Sequence, residues 1–221
     1  MESYNDEASK CEEAIYEPVT NIAFPYSLSN EMIFVGCGVR SKLFINVYAV
    51  GTYIDKTKFK AYYQDQKQQK NDSTTNKHEI IQNGLSNPNA FPRTLRIVTN
   101  YSVSSSTLTS GIMDALRPRL KNVISKTEIK SLHTRLMSLN DGVKKLVAGT
   151  EVEMKIDGDT MYHRRKNSGD EDDGKHENGP EKIVMIQHKE FCVALCDVYY
   201  GTDAVSLDHR NSVIQGIMDT M

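Results

Sequence analysis

The sequence predicts an α+β domain in which helices lie on one face of a large antiparallel sheet. Three observations carry that expectation. Alternating apolar residues mark a series of strands between residues 17 and 103. Two helical stripes follow in the middle of the chain. A hairpin, a last strand and two further helical segments close it.

The first strands are read at 17–25 (EPVTNIAFP), 31–37 (EMIFVGC), 42–55 (KLFINVYAVGTYID) and 94–103 (TLRIVTNYSV). Leu108, Ile112, Ala115, Leu116, Leu120 and Val123 then recur at helical spacing, with Pro118 expected to bend or end that helix. A second stripe, Ile129, Leu132, Leu136 and Leu139, is opened by the capping box Ser125 to Glu128 and closed near Gly142. Val152, Met154 and Ile156 alternate up to Asp157-Gly158, a hairpin signal, and TMYH and EKIVMI continue the sheet. Phe191, Leu195 and Val198, then Val213, Ile214 and Ile217, mark the closing helices.

Two stretches interrupt the pattern. Residues 61–90 are rich in Gln, Asn, Lys and Ser, and residues 164–180 carry almost no apolar side chain. Both are expected to be surface insertions, at least partly disordered. Residues 1–16 read as a flexible acidic tail, which leaves 17–221 as a single domain.

At 221 residues, 38% hydrophobic, 25% charged and with a formal net charge of −2, the chain is large enough to bury a core and lacks the basic excess of a nucleic-acid binder. No apolar run approaches the roughly 18 to 20 residues of a membrane-spanning helix, so no membrane insertion is expected. The acidic start resembles neither a secretory signal nor a transit peptide. Four irregularly spaced cysteines fit a reducing compartment, with cytoplasm as the default. No metal or other cofactor is expected. His188, Cys192 and Cys196 share a helix face but lack an evident fourth ligand, the DEDDG run departs from a calcium loop, and GCG lacks the partners of a phosphate-binding loop.

The segment 36–55 (GCGVRSKLFINVYAVGTYID) draws the functional question, because a lone arginine, Arg40, stands at the mouth of its strand. Leu43, Ile45, Val47, Ala49, Gly51 and Tyr53 form one face. Phe44, Asn46, Tyr48, Val50, Thr52 and Ile54 form the other, which mixes polar tips with apolar walls as a pocket for an amphiphilic ligand does. In one straight strand Arg40 and Tyr48 would stand about 26 Å apart. A reversal near Ser41-Lys42 would bring them to roughly 15 to 18 Å, close enough for two long side chains to converge on one carboxylate. On chemistry alone a second reading stands beside this one: Arg40 as a solvated or salt-bridged turn residue, and Tyr48 as a core aromatic.

EPVTNIAFP, GCGVRSKLFINVYAVGTYID, LRIVTNYSVSSSTLTSGIMDALRPRL and EFCVALCDVYYGTDAVSLDHRNSVIQGI resemble, in order, the successive blocks of the chalcone isomerase superfamily. The resemblance implies an open-faced β-sandwich with a ligand cleft between sheet and helices. Its enzymes cyclise a chalcone by intramolecular addition, using an arginine, a threonine, a tyrosine, an asparagine and a later threonine or serine. Matched block by block, the arginine falls on Arg40, the strand threonine on Tyr48, the helix tyrosine near Leu108 and the asparagine near Ala115. The later hydroxyl cannot be placed. An arginine followed by a strand VY, and DALRPRL, look instead like the fatty-acid-binding, non-catalytic branch, in which arginine and tyrosine are associated with the ligand's carboxylate. The resemblance therefore implies a fatty acid or flavonoid-like amphiphile as partner, held by Arg40 and Tyr48, with Asn46 and Thr52 of the same strand parity as further candidates. The alternatives are an active intramolecular lyase acting on a chalcone-like enone, and a structural protein without a ligand. The resemblance also allows a plastid location.

Overall fold

The computed structural model describes residues 14–69, 76–139, 143–166 and 183–221. Its centre is a six-stranded antiparallel sheet built from β3 (Met32–Lys42), β4 (Ile45–Asp55), β5 (Arg93–Thr99), β8 (Glu151–Asp157), β9 (Thr160–Lys166) and β10 (Val184–Gln187), ordered β10-β9-β8-β5-β4-β3. A short hairpin of β1 (Ala14–Tyr16) and β2 (Ala23–Pro25) precedes it, and β6 (Val103–Ser104) pairs with β7 (Lys145–Leu146) beside it. Six helices complete the chain: α1 (Lys56–Gln69), α2 (Lys77–Ser86), α3 (Ser105–Leu120), α4 (Lys126–Ser138), α5 (Lys189–Tyr200) and α6 (Leu207–Asp219).

The helices pack on one face, as the order of elements predicts. Tyr48, Val50, Ile54, Leu95, Ile97, Val152, Met154 and Ile156 meet Met113, Leu116, Phe191, Leu195, Val198, Val213 and Ile217 in one core. On the opposite face Ala49, Tyr53 and Val98 pack with Phe24 of β2 in a smaller cluster. The alternation along β4 thus sorts its residues between two layers, as a strand covered on both sides requires. Glycines decide how closely α6 approaches. A β-carbon on Gly36 would lie 2.5 Å from the Val213 backbone nitrogen, and one on Gly38 2.5 Å from that of His209, so α6 rests directly on the β3 backbone. The GCG run is a close-packing device inside a strand.

Local signals position the other elements. The capping box forms: Ser125 N donates to Glu128 Oε2 (2.9 Å) and Glu128 N to Ser125 Oγ (3.2 Å). Gly158, at φ +59°, turns β8 into β9. Pro118 sits in the last turn of α3, which ends at Leu120.

Several expectations are corrected. The strand read at 42–55 is broken at its start, because Leu43 (φ +51°) and Phe44 (φ +67°) form the hairpin turn and β3 runs on to Lys42. Of 17–25, only Ala23–Pro25 is strand. Residues 61–90 are largely helical: Phe59 and Tyr63 of α1, and Ile80, Ile81 and Leu85 of α2, are buried. Fully buried Arg93 secures the end of α2 by donating to the carbonyls of Gly84, Leu85, Asn87 and Phe91. Few apolar positions and one buried arginine suffice to dock these helices, which a composition count does not detect. Residues 164–166 belong to β9, whereas 167–180, Gly142 and most of the expected N-terminal tail lie outside the described residues.

Candidate functional site

The β3–β4 hairpin makes Arg40 and Tyr48 direct cross-strand partners. Because the turn lies at Leu43-Phe44 rather than Ser41-Lys42, their Cα atoms are about 4.5 to 5.5 Å apart instead of 15 to 18 Å. The register slips after Arg40, so that Ser41 opposes Asn46 and Val47 is the bulged residue. A bulge re-aims side chains. Here Tyr48 points into the helix-covered core, and the Arg40 guanidinium lies 6.0 Å from its ring centroid.

Helices complete the surroundings. Arg40 Nη2 donates to the Gly111 carbonyl of α3 (3.4 Å), and the Tyr48 hydroxyl lies 3.1 Å from the Tyr199 hydroxyl of α5. Arg40 Nη1 is buried yet has no hydrogen-bond acceptor. Burial works against the charged guanidinium, but Tyr48 and Tyr199, a side-chain hydrogen bond with Tyr48 and the charge of Asp114 outweigh it and raise the Arg40 pKa. Asp114 acts at a distance: no described carboxylate forms a salt bridge with Arg40. Burial also raises the Tyr199 phenol well above its ordinary range, which keeps it neutral and able to donate. Beside them, a β-carbon added to half-buried Gly111 would meet nothing within 4 Å. A cation with an unused buried donor and two phenols therefore converge at one end of the sheet.

The other two candidate side chains lie in separate networks. Asn46 Oδ1 accepts from Ser41 Oγ (2.7 Å) at the exposed end of the hairpin, and its carbonyl accepts from Asn100 Nδ2 (3.1 Å). Thr52 is fully buried about 13 Å along the strand from Tyr48, with its Oγ1 3.0 Å from the Tyr200 hydroxyl and 2.8 Å from His209 Nε2. Burial lowers the His209 pKa to about 3, so the ring is neutral. Sequence reasoning missed Gly111, Tyr199, Tyr200 and His209. The tandem tyrosines at the end of a helix with a strong apolar face were the available signal, since a buried phenol needs a partner. Leu108 is buried and Ala115 packs against the core, and neither brings a donor. His188 caps α5, Cys192 and Cys196 are buried free thiols, and no cluster of three His, Cys, Asp or Glu able to hold a metal occurs among the described residues.

No protein-family model matches the chain, and a search of curated proteins finds no match either. Among solved structures it is similar to a fatty-acid binding protein of Arabidopsis thaliana, with a TM-score of 0.72 and 19% identity over 91% of this chain and 96% of that one. At that identity the likeness establishes the fold: a chalcone-isomerase-like open-faced β-sandwich, its antiparallel sheet covered by helices on one face.

Proposed function

We propose that the chain is a non-catalytic binding protein for a fatty acid or similar amphiphilic carboxylate, with Arg40 and Tyr48 receiving the carboxylate between the end of β4, α3 and α5. The observation that carries this reading is the buried, unpaired Nη1 of Arg40. A guanidinium presents a planar fork of donors that matches a carboxylate bidentately, and leaving such a donor buried without an acceptor is costly. The Tyr48–Tyr199 hydroxyl pair adds a donor on the same side. The fold shared with a protein described as fatty-acid binding supports the same ligand class. Asn46 and Thr52 are not assigned direct roles, since both are engaged elsewhere.

The direct test is native mass spectrometry of the protein purified from its source, followed by extraction and identification of bound lipid. Co-purification of a carboxylic lipid that Arg40→Ala no longer retains is the expected result. A protein that carries no lipid and binds no added fatty acid overturns the reading.

The open space at Gly111 gives a prediction of mixed sign. Gly111→Ala removes a helix-interior glycine and is expected to raise stability by about 0.5 to 1 kcal/mol. If the open space at Gly111, whose carbonyl accepts from Arg40, belongs to the ligand's path, the same methyl is expected to lower fatty-acid affinity several-fold. Thermal melts and calorimetric titration separate the two effects, and unchanged affinity would exclude that space from the site.

Activity on an enone is expected to be absent. With Leu108 and Ala115 where the resemblance puts a tyrosine and an asparagine, nothing from those positions polarises the substrate oxygen. A spectrophotometric assay with a 2'-hydroxychalcone is expected to show the spontaneous rate. Enzyme-dependent cyclisation would favour an isomerase instead.

A further inference from the structure

We infer that the tip of the β3–β4 hairpin is a docking element for an anionic lipid surface. Leu43 and Phe44 form the turn and are 82% and 104% exposed, with Ile45 following at 55%. Both central residues have positive φ, the geometry of a type I′ turn, which asparagine and glycine adopt easily and which branched or aromatic residues adopt at a conformational cost. Three consecutive large apolar side chains thus stand in water, two of them, Leu43 and Phe44, in a backbone conformation that disfavours them. The fold buries none of them.

The surroundings select the occupant. Asn100 binds the Asn46 and Val47 carbonyls through its side chain and backbone, β6 pairs with β7, and Gly149 N donates to the Thr99 carbonyl. These links gather segments 41–46, 100–104 and 143–149 at one end of the molecule. Tyr101 and Val147 there are exposed beside the tip. The same three segments contain Lys42, Lys144 and Lys145 and no acidic residue, in a chain whose net charge is −2. An apolar tip with an interfacial tyrosine and a rim of lysines suits acyl chains below and anionic headgroups around it. The like-charged rim opposes tip-to-tip pairing of two copies. No described helix is long and apolar enough to cross a membrane, so the contact is peripheral. Its consequence rests on the carboxylate reading: Arg40 lies two residues from Lys42, so a docked tip would place the proposed site at the lipid surface from which an acyl ligand leaves.

The test is co-sedimentation of the full chain with phosphatidylcholine vesicles, with and without phosphatidylserine. The wild type is expected to sediment with the anionic vesicles and to be released by salt. The double substitution Leu43→Asn/Phe44→Gly is expected to reduce vesicle affinity roughly tenfold or more, while the melting temperature rises because the turn now carries its preferred residues. A merely structural tip would not yield those opposite signs. Lys42→Gln/Lys144→Gln/Lys145→Gln is expected to abolish the preference for phosphatidylserine. Arg40→Ala is expected to sediment like the wild type while losing fatty-acid affinity in solution, so the two proposals fail separately. A wild type that ignores both vesicle types, including one held through the tip by an acidic protein instead, overturns the inference, as does a double variant that sediments like the wild type.

Discussion

Replacing Arg40 with alanine is expected to weaken fatty-acid binding by roughly 2 to 4 kcal/mol, about thirty- to several hundred-fold in affinity. On the carboxylate reading, the substitution removes a charge-assisted pair and leaves the anion facing the Tyr48 and Tyr199 phenols without a compensating cation. Arg40→Lys is expected to recover part of the loss, because one ammonium cannot reproduce the fork. Tyr48→Phe keeps the ring and deletes one donor, for a smaller loss of about 0.5 to 1.5 kcal/mol. Calorimetric titration with a fatty acid and the matching alcohol isolates the cause. The alcohol is expected to bind the wild type more weakly and to be nearly indifferent to Arg40→Ala. Equal losses for acid and alcohol would show that Arg40 braces the hairpin against Gly111 and holds no anion.

The second large effect is loss of stability in acid. His209 and His163 are buried, and burial lowers their pKa values from an ordinary 6.5 to about 3 and about 4, with Arg165 adding to the effect on His163. Between those values and 6.5 the unfolded chain binds protons that the native state refuses, so stability rises with pH across that window. The contribution is fully present above about pH 6.5 and is lost as pH falls. From pH 7 to 4.5 each histidine is expected to cost about 2 to 3 kcal/mol. Urea melts at the two pH values measure the sum, and His209→Gln is expected to reduce the acid loss by about one such share. The ring resonances of His209 should not titrate above about pH 4. A midpoint near 6.5 would show that the Thr52–Tyr200–His209 network is open to water.

By itself the sequence determined much of the layering. Period-two alternation in β4, β5 and β8, helical stripes in α3 to α6, the Ser125–Glu128 box and the turn at Gly158 are local patterns, and each acts through neighbours a few residues away. It also placed Arg40 and Tyr48 on one hairpin. The register was not legible, because the turn at Leu43-Phe44 uses residues with no turn signal, and a two-residue error in its position changes every cross-strand pair. The helices α1 and α2 were hidden for a related reason: their burial depends on Arg93 and Phe91, contributed from outside both helices.

Only the tertiary structure decided which groups share the candidate site. Gly111 and Tyr199 stand 71 and 151 residues from the side chains they meet, and no spacing rule reaches that far. The purpose of Gly36 and Gly38, the removal of Asn46 from the Arg40 fork and the enclosure of Thr52 beside His209 follow from how α6 settles on β3 and how the bulge at Val47 re-aims the strand. Local periodicity sets which face a side chain takes. Which partner it finds there depends on register and on the packing of distant elements, where backbone clashes and unsatisfied hydrogen bonds select one arrangement.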